Sequence, residues 1–178
     1  EDISVHTIIL LDNSLSVSES NRENIKSILK QYFQEIQKNE TISFAVFGEE
    51  LLFLIEKSQN MDEMLQVIEK LEFHDQNTYL TDYLYEVLDK IEKDCQYTRL
   101  IIISDGVDNR EVGITKDELM SRLGEISRPV YTIGHIYKDN SDELKNMFAL
   151  SRVTGGQEFL IEDYEDLNQI SAEIHNLT

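Results

Sequence analysis

Five side chains carry the pattern best suited to chemistry. Asp12 and the hydroxyls of Ser14 and Ser16 alternate in the segment Asp12-Asn13-Ser14-Leu15-Ser16, Thr78 closes a polar stretch further along, and Asp105 opens the pair Asp105-Gly106. All are hard oxygen donors, carboxylates or hydroxyls, and such a set suits a small hard dication. Magnesium demands octahedral oxygen coordination and gives up water reluctantly. Neutral hydroxyls bound directly, with aspartates behind them, would leave it positive enough to accept one more anionic ligand. The chemistry expected is a socket for a carboxylate, held by Mg2+ or Mn2+, with Ca2+ as a further option.

These residues can meet only if the chain brings its strand ends together. His6 to Leu11 (HTIILL) is a continuous apolar run, the mark of a strand buried on both faces, and it stops at Asp12. Ile25, Ile28, Leu29, Tyr32, Phe33 and Ile36 then recur at helical spacing, which predicts a helix to about Gln37. Thr41–Phe47 and Leu51–Ile55 read as strands, and the short gap Gly48-Glu49-Glu50 demands an antiparallel hairpin. Met61, Met64, Leu65, Ile68 and Leu71 mark a second helix; Leu80, Leu84, Val87, Leu88 and Ile91 mark a third. Leu100 to Ile103 (LIII) is another doubly buried strand, ending at Ser104-Asp105-Gly106. Beyond it come a helix through Leu119, Leu123 and Ile126, a strand Pro129–Ile136, a helix Leu144–Ala149, a strand Gln157–Ile161 and a helix through Leu167, Ile170 and Ile174.

This alternation with short connections predicts an α/β fold: a doubly wound, mostly parallel six-stranded sheet with one antiparallel edge strand and helices on both faces. Residues 1–178 form one domain in this reading. Ligands of such folds bind beyond the carboxyl ends of strands where the strand order reverses. The loops after Leu11 and Ile103 are therefore the place to look, and each begins near an aspartate.

In this order and placement the residues resemble the von Willebrand factor type A (vWA) domain, also known from the inserted domain of integrins, with its metal-ion-dependent adhesion site. Asp12, Ser14 and Ser16 match its Asp-x-Ser-x-Ser segment, Thr78 its threonine loop and Asp105 its final aspartate. The resemblance spans essentially the whole chain, TIGHI and Thr154-Gly155-Gly156 included. It departs at Asn77, where the family commonly has glycine; asparagine best tolerates the left-handed turn that glycine allows. Thr81 competes with Thr78 but falls inside a helical stripe. The resemblance implies that the serines, and the threonine when ligand is bound, touch the metal, while the aspartates often act through water. It also implies that ligand binding moves the 105–110 loop and shifts the last helix, Tyr164 to Asn176.

Charge narrows the partners. The chain has 35 acidic and 16 basic residues and a formal charge of -19, a field that repels nucleic acid and anionic membrane surfaces. No apolar run is long enough for a membrane span, and no signal-like segment opens the chain. Without an initiator methionine it reads as a domain excised from a longer protein, with any anchor outside it. The expected partner is a protein presenting an Asp or Glu, ringed by basic residues that meet a rim of Asp75, Asn77, Asp108 and Glu111. An extracellular or cell-surface place follows from the resemblance.

Other groups offer less. His6, His74, His135 and His175 lack ligand spacing, and of these only His74 is expected near the site. Cys95, beside Asp94, reads as an inert thiol; Tyr79, Tyr83 and Tyr85 line a rim or pack at helix spacing. An aspartyl-phosphate phosphohydrolase of the haloacid dehalogenase type also places an aspartate after its first strand, but wants a second acid two residues on, where this chain has Ser14. No enzyme is expected. The remaining competitor is an intracellular scaffold module of a multi-subunit assembly.

Overall fold

Val5 to Asp12 is buried along its whole length and forms the central strand β1. Its side chains alternate, with Ile9 and Leu11 in one apolar cluster and Ile8 and Leu10 in the other, so a continuous apolar run serves both faces of the sheet. The computed structural model describes residues 4–92, 97–109 and 113–176. After β1 come α1 (Glu19–Gln34), β2 (Glu40–Phe47), β3 (Leu51–Ser58), α2 (Met61–Glu69), α3 (Leu80–Glu92) and β4 (Tyr97–Ser104). Then follow α4 (Lys116–Ile126), β5 (Val130–Gly134), α5 (Ser141–Thr154), β6 (Glu158–Leu160), a 3-10 turn (Ile161–Asp163) and α6 (Asn168–Asn176).

The strand order is β3-β2-β1-β4-β5-β6, parallel throughout except for β3 at one edge. This is the mostly parallel six-stranded sheet expected. One face is covered by α1, α2 and α6, whose Ile25, Phe33, Met64 and Ile170 join Ile9, Leu11, Ile101 and Ile103. The other carries α3, α4 and α5, whose Leu84, Leu119 and Met147 pack on Ile8, Leu10, Leu100 and Ile102. Since β1 lies between β2 and β4, the chain leaves it in opposite directions, and the register Leu11↔Ile103 sets Asp12 beside Ser104. That is the reversal point at which such sheets bind ligands.

Several boundaries differ from the sequence expectation for local reasons. α1 ends at Gln34, capped by Glu35, and Ile36 packs on the core from outside the helix. β3 runs on to Ser58, with a register shift around Phe44. β5 stops at Gly134 rather than Ile136, because Asn140 Nδ2 donates to His135 O at 3.1 Å and turns the chain toward α5. α5 begins at Ser141, ahead of its first apolar residue, and ends at Thr154; the turn itself is Gly155, at φ 78°. α6 starts at Asn168, not Tyr164, where Asp166 takes the first free backbone N–H groups, its Oδ1 accepting from Asn168 N at 3.0 Å and its backbone O from Gln169 N at 3.2 Å. Cys95, Arg110 and Glu111 lie outside the described residues.

Candidate functional site

The loop after β1 turns on Asp12 itself, whose Oδ1 accepts from Ser14 N at 3.0 Å in an Asx turn. The turn swings Ser14 and Ser16 back over the strand end, where their hydroxyl oxygens lie 2.8 Å apart. Ser16 Oγ donates to Asp105 Oδ2 at 3.0 Å, while Thr78 Oγ1 donates to Asp12 Oδ1 at 3.3 Å. The structure thus gathers all five oxygen-bearing residues singled out in the sequence, from three loops, at the carboxyl ends of β1 and β4. Asp12, Ser14, Thr78 and Asp105 are buried and Ser16 is half-buried. Thr81 belongs to the first turn of α3, its backbone N–H donating to Asp108 Oδ2 at 3.0 Å, so Thr78 is the threonine that reaches the site.

Electrostatically the site is strained toward neutrality. Burial, then repulsion from Asp105, raises the Asp12 carboxyl to about 7, against the hydrogen bonds from Ser14 and Ser104 that lower it. Two buried carboxylates linked through hydroxyls form a donor set that fits a hard divalent cation, and Asp12, Ser14, Ser16, Thr78 and Asp105 are the residues that could hold one. Among the described residues no three of His, Cys, Asp and Glu converge, so the donor set depends on hydroxyls.

Four supporting groups escaped the sequence reading. Ser104 Oγ donates to Asp12 Oδ2 at 2.9 Å and accepts from Gly106 N at 3.0 Å. Asn109 Oδ1 accepts from Thr78 N at 2.9 Å, and Asn109 N donates to Thr78 O at 2.8 Å, tying the threonine loop to the aspartate loop. Asn140 Nδ2 donates to Asp105 O at 2.7 Å. Gly48 lies so close to the site's outer layer that a Cβ there would come within 2.3 Å of Asp75 Oδ2 and 2.8 Å of Asn13 Oδ1. Only the IIISDG strand end carried a local signal for any of them, Ser104; the rest depend on contacts distant in sequence.

The expected rim is partly structural. Asp75 Oδ2 accepts from Glu49 N at 3.0 Å, its Oδ1 lies 2.6 Å from His74 Nδ1, and its backbone O accepts from Leu15 N at 2.8 Å. Asn77 Nδ2 donates to Glu49 Oε1 at 3.1 Å. His74 is exposed beside Asp75, as expected, but the expectation that no other histidine lies near needs correcting. His135, at the end of β5, is buried within the electrostatic reach of Asp105 and Glu162. Burial pushes its pKa down against the pull of both carboxylates, and neither ring nitrogen has a hydrogen-bond partner among the described residues. Tyr83 donates its hydroxyl to Glu49 O, and Tyr85 packs on the core. His6 is a core residue, with Nε2 2.8 Å from Ser43 Oγ.

The sheet order and the loop placement define the vWA class. The family model described as "von Willebrand factor type A domain" matches residues 6–158, and the chain belongs to that family. No curated protein matches it by sequence. Among solved structures it is similar to an aerotolerance-related membrane protein from Bacteroides fragilis, with TM-score 0.75 and 11% identity over 97% of this chain and 98% of the other. It is similar also to the vWF domain of the type V pili tip protein Mfa5 from Porphyromonas gingivalis, with TM-score 0.75 and 9% identity over 98% and 96% of the two chains. A von Willebrand factor type A protein from Catenulispora acidiphila gives TM-score 0.74 and 12% identity, covering 98% of this chain and 42% of the other. At such identities the likeness is one of fold.

Proposed function

We propose that this vWA domain recognises a partner protein through a divalent cation, Mg2+ or Mn2+, held by Asp12, Ser14, Ser16, Thr78 and Asp105. The reading rests on one arrangement: two buried carboxylates joined through hydroxyls at the reversal point of the sheet. A bound cation would supply an electron-pair acceptor for an Asp or Glu carboxylate of the partner. This chain's residues orient it. Ser104 and Ser14 N fix the Asp12 carboxylate, and Asn109 fixes Thr78. Asp75, Asn77, Asp108 and Glu111 are the proposed rim toward the partner's basic residues. The role is one of adhesion without catalysis, like that of the integrin inserted domain, and a cell-surface place is in keeping with the membrane and pilus-tip proteins that share the fold. Among the described residues no helix is long and apolar enough to cross a membrane.

Calorimetric titration with MgCl2 and MnCl2 tests the reading. We expect saturable binding at one site, lost in Asp12→Ala and weakened in Thr78→Ala, with circular dichroism confirming that both variants fold. Unchanged affinity in Asp12→Ala sinks the assignment, since that carboxylate should neutralise much of the ion's charge.

A further inference from the structure

Where α5 lies against the last strands of the sheet it leaves a groove of about 310 Å3, on the side of the edge strand β6. Helical spacing sets one stripe of α5 along it: Ser141, Lys145, Phe148 and Arg152. Leu144 and Phe148 make its floor with Leu160 of β6, and Ile136, 49% exposed, stands on the opposite lip. An aliphatic side chain held half in water beside an apolar floor gains by being covered. All of the lining falls within residues 136–160, which belong to one unbroken run of described residues.

The charge of the groove runs against that of the molecule. The chain carries 35 acidic residues against 16 basic ones, yet among the described residues Lys138, Lys145 and Arg152 line the groove against Asp139 alone. Arg152 is partly engaged, its Nε donating to Glu158 Oε1 at 2.7 Å, and Lys138 Nζ lies 5.0 Å from the centre of the Tyr137 ring. Lys145 is exposed and has no ion-pair partner among the described residues. Even with Glu158 counted beside Asp139, cations outnumber carboxylates here. Asp142 and Glu143, on the same helix, line its α4 side instead.

An apolar floor between spaced cations selects an apolar body flanked by anions. Lys145 and Arg152 stand two helical turns apart, about 10 Å along α5. In an extended chain, residues four apart share one face about 13 Å from each other, a gap that long lysine and arginine side chains close. Asn140 has nothing left to orient a compact ligand, since its Nδ2 donates to Asp105 O and His135 O and its Oδ1 accepts from Tyr137 N. By contrast β6 offers the backbone of an edge strand, along which an extended segment fits. We propose that this groove binds an extended acidic segment of a partner protein, one large apolar side chain entering over Phe148 with an Asp or Glu two residues to either side. The site is separate from the Asp12–Asp105 site and does not rest on a metal there.

The probe is the capped pentapeptide Asp-Ser-Phe-Ser-Asp, titrated in EDTA and followed by amide chemical shifts. Physiological ionic strength is the condition of choice, because a Debye length of ~8 Å screens the distant acids more than contacts within the groove. We expect saturable shifts confined to residues 136–152 and Leu160. Affinity should fall about five- to tenfold in Lys145→Glu and about two- to fivefold in Ile136→Ser, both exposed positions, with the rest of the amide spectrum confirming the fold. The peptide Asn-Ser-Phe-Ser-Asn should bind at least about fivefold more weakly. Scattered shifts, no saturable shift, equal binding of the Asn peptide, or indifference to Lys145→Glu each overturn the inference. So does 3-phenylpropionate binding as tightly as the peptide, which assigns the groove to compact carboxylate amphiphiles. Concentration-dependent self-association that Lys145→Glu abolishes overturns it too, by assigning the groove to a second copy of this chain.

Discussion

Asp12 shows how one residue can be costly to the fold and useful to the site. Its carboxyl is raised from 3.8 to about 7 by burial and by Asp105, so the folded state holds a proton that the unfolded chain releases in the acid range. The unfolded state then binds fewer protons than the folded state between those values. Stability should therefore fall as pH rises from about 4 to about 7, and the penalty persists above. A cation at the site would offset it. In the absence of divalent metal, Asp12→Asn should gain thermal stability over the wild type as pH goes from 5 to 8, on the order of 5 °C in melting temperature. Melting curves in EDTA check this, and a difference independent of pH contradicts it. The residues of the site were legible because each stands at a strand end or loop with an apolar run beside it. Ser104, Asn109, Asn140 and His135 were not, because their roles come from partners far along the chain, such as Ser104 on Asp12 or Asn140 on the Asp105 carbonyl. A histidine in a strand pattern gives no sign that it will lie near a carboxylate from another strand.

The elements hold a second polar cluster, at the opposite end of the sheet from the site. Arg99 of β4 pairs with Glu40 of β2 at 2.9 Å, both side chains 0% exposed. Arg99 also donates to Thr7 Oγ1 at 3.0 Å and to the α6 carbonyl of Ile174 at 3.2 Å. Tyr32 of α1 donates to Glu40 at 2.6 Å, and His175 of α6 stacks on Tyr32 and lies 3.1 Å from the other Glu40 oxygen. Burial works to raise the Glu40 carboxyl, but His175, Arg99, Thr7 and Tyr32 together outweigh it and hold it at about 2. Three strands and two helices are thus pinned at one point, and α6 is attached through its last turn. Removing one partner of a buried pair strands the other charge, so Arg99→Met should cost about 3–5 kcal/mol in urea unfolding. The double change Arg99→Met with Glu40→Gln should cost much less, because no buried charge remains unpaired. Equal losses in the single and double variants argue against the pairing. The apolar periodicities gave every strand and helix in order, yet this cluster went unread: Glu40 and Arg99 flank apolar runs, where charge ordinarily signals a strand end at the surface. The start of α6 was misplaced for a similar reason. Tyr164 and Leu167 pack on the core from outside the helix, so their apolar character does not mark its first turn.

At the scale of the whole molecule the dominant quantity is the formal charge of -19, spread over a fold whose mostly parallel sheet with one reversed edge strand was readable from the strand–helix alternation and the short hairpin gap. Self-repulsion on that scale destabilises the compact state and is relieved by salt, since the Debye length shrinks to ~8 Å at physiological strength. Any cation, monovalent or divalent, should therefore stabilise the domain somewhat. Screening depends on ionic strength, whereas a site that binds only the folded chain adds a saturable gain of about 2.7 kcal/mol when free ion reaches one hundred times Kd. The two contributions separate when NaCl and MgCl2 are compared at matched ionic strength. Magnesium should raise the melting temperature by roughly 5–10 °C beyond the sodium control for a domain of this size. In Asp12→Ala the magnesium and sodium curves should coincide, leaving only the screening common to both. Differential scanning calorimetry of the two proteins across both salts measures this. A magnesium excess that survives Asp12→Ala would place the cation elsewhere on the acidic surface, and no excess in the wild type would mean that the buried carboxylates hold no metal over this concentration range.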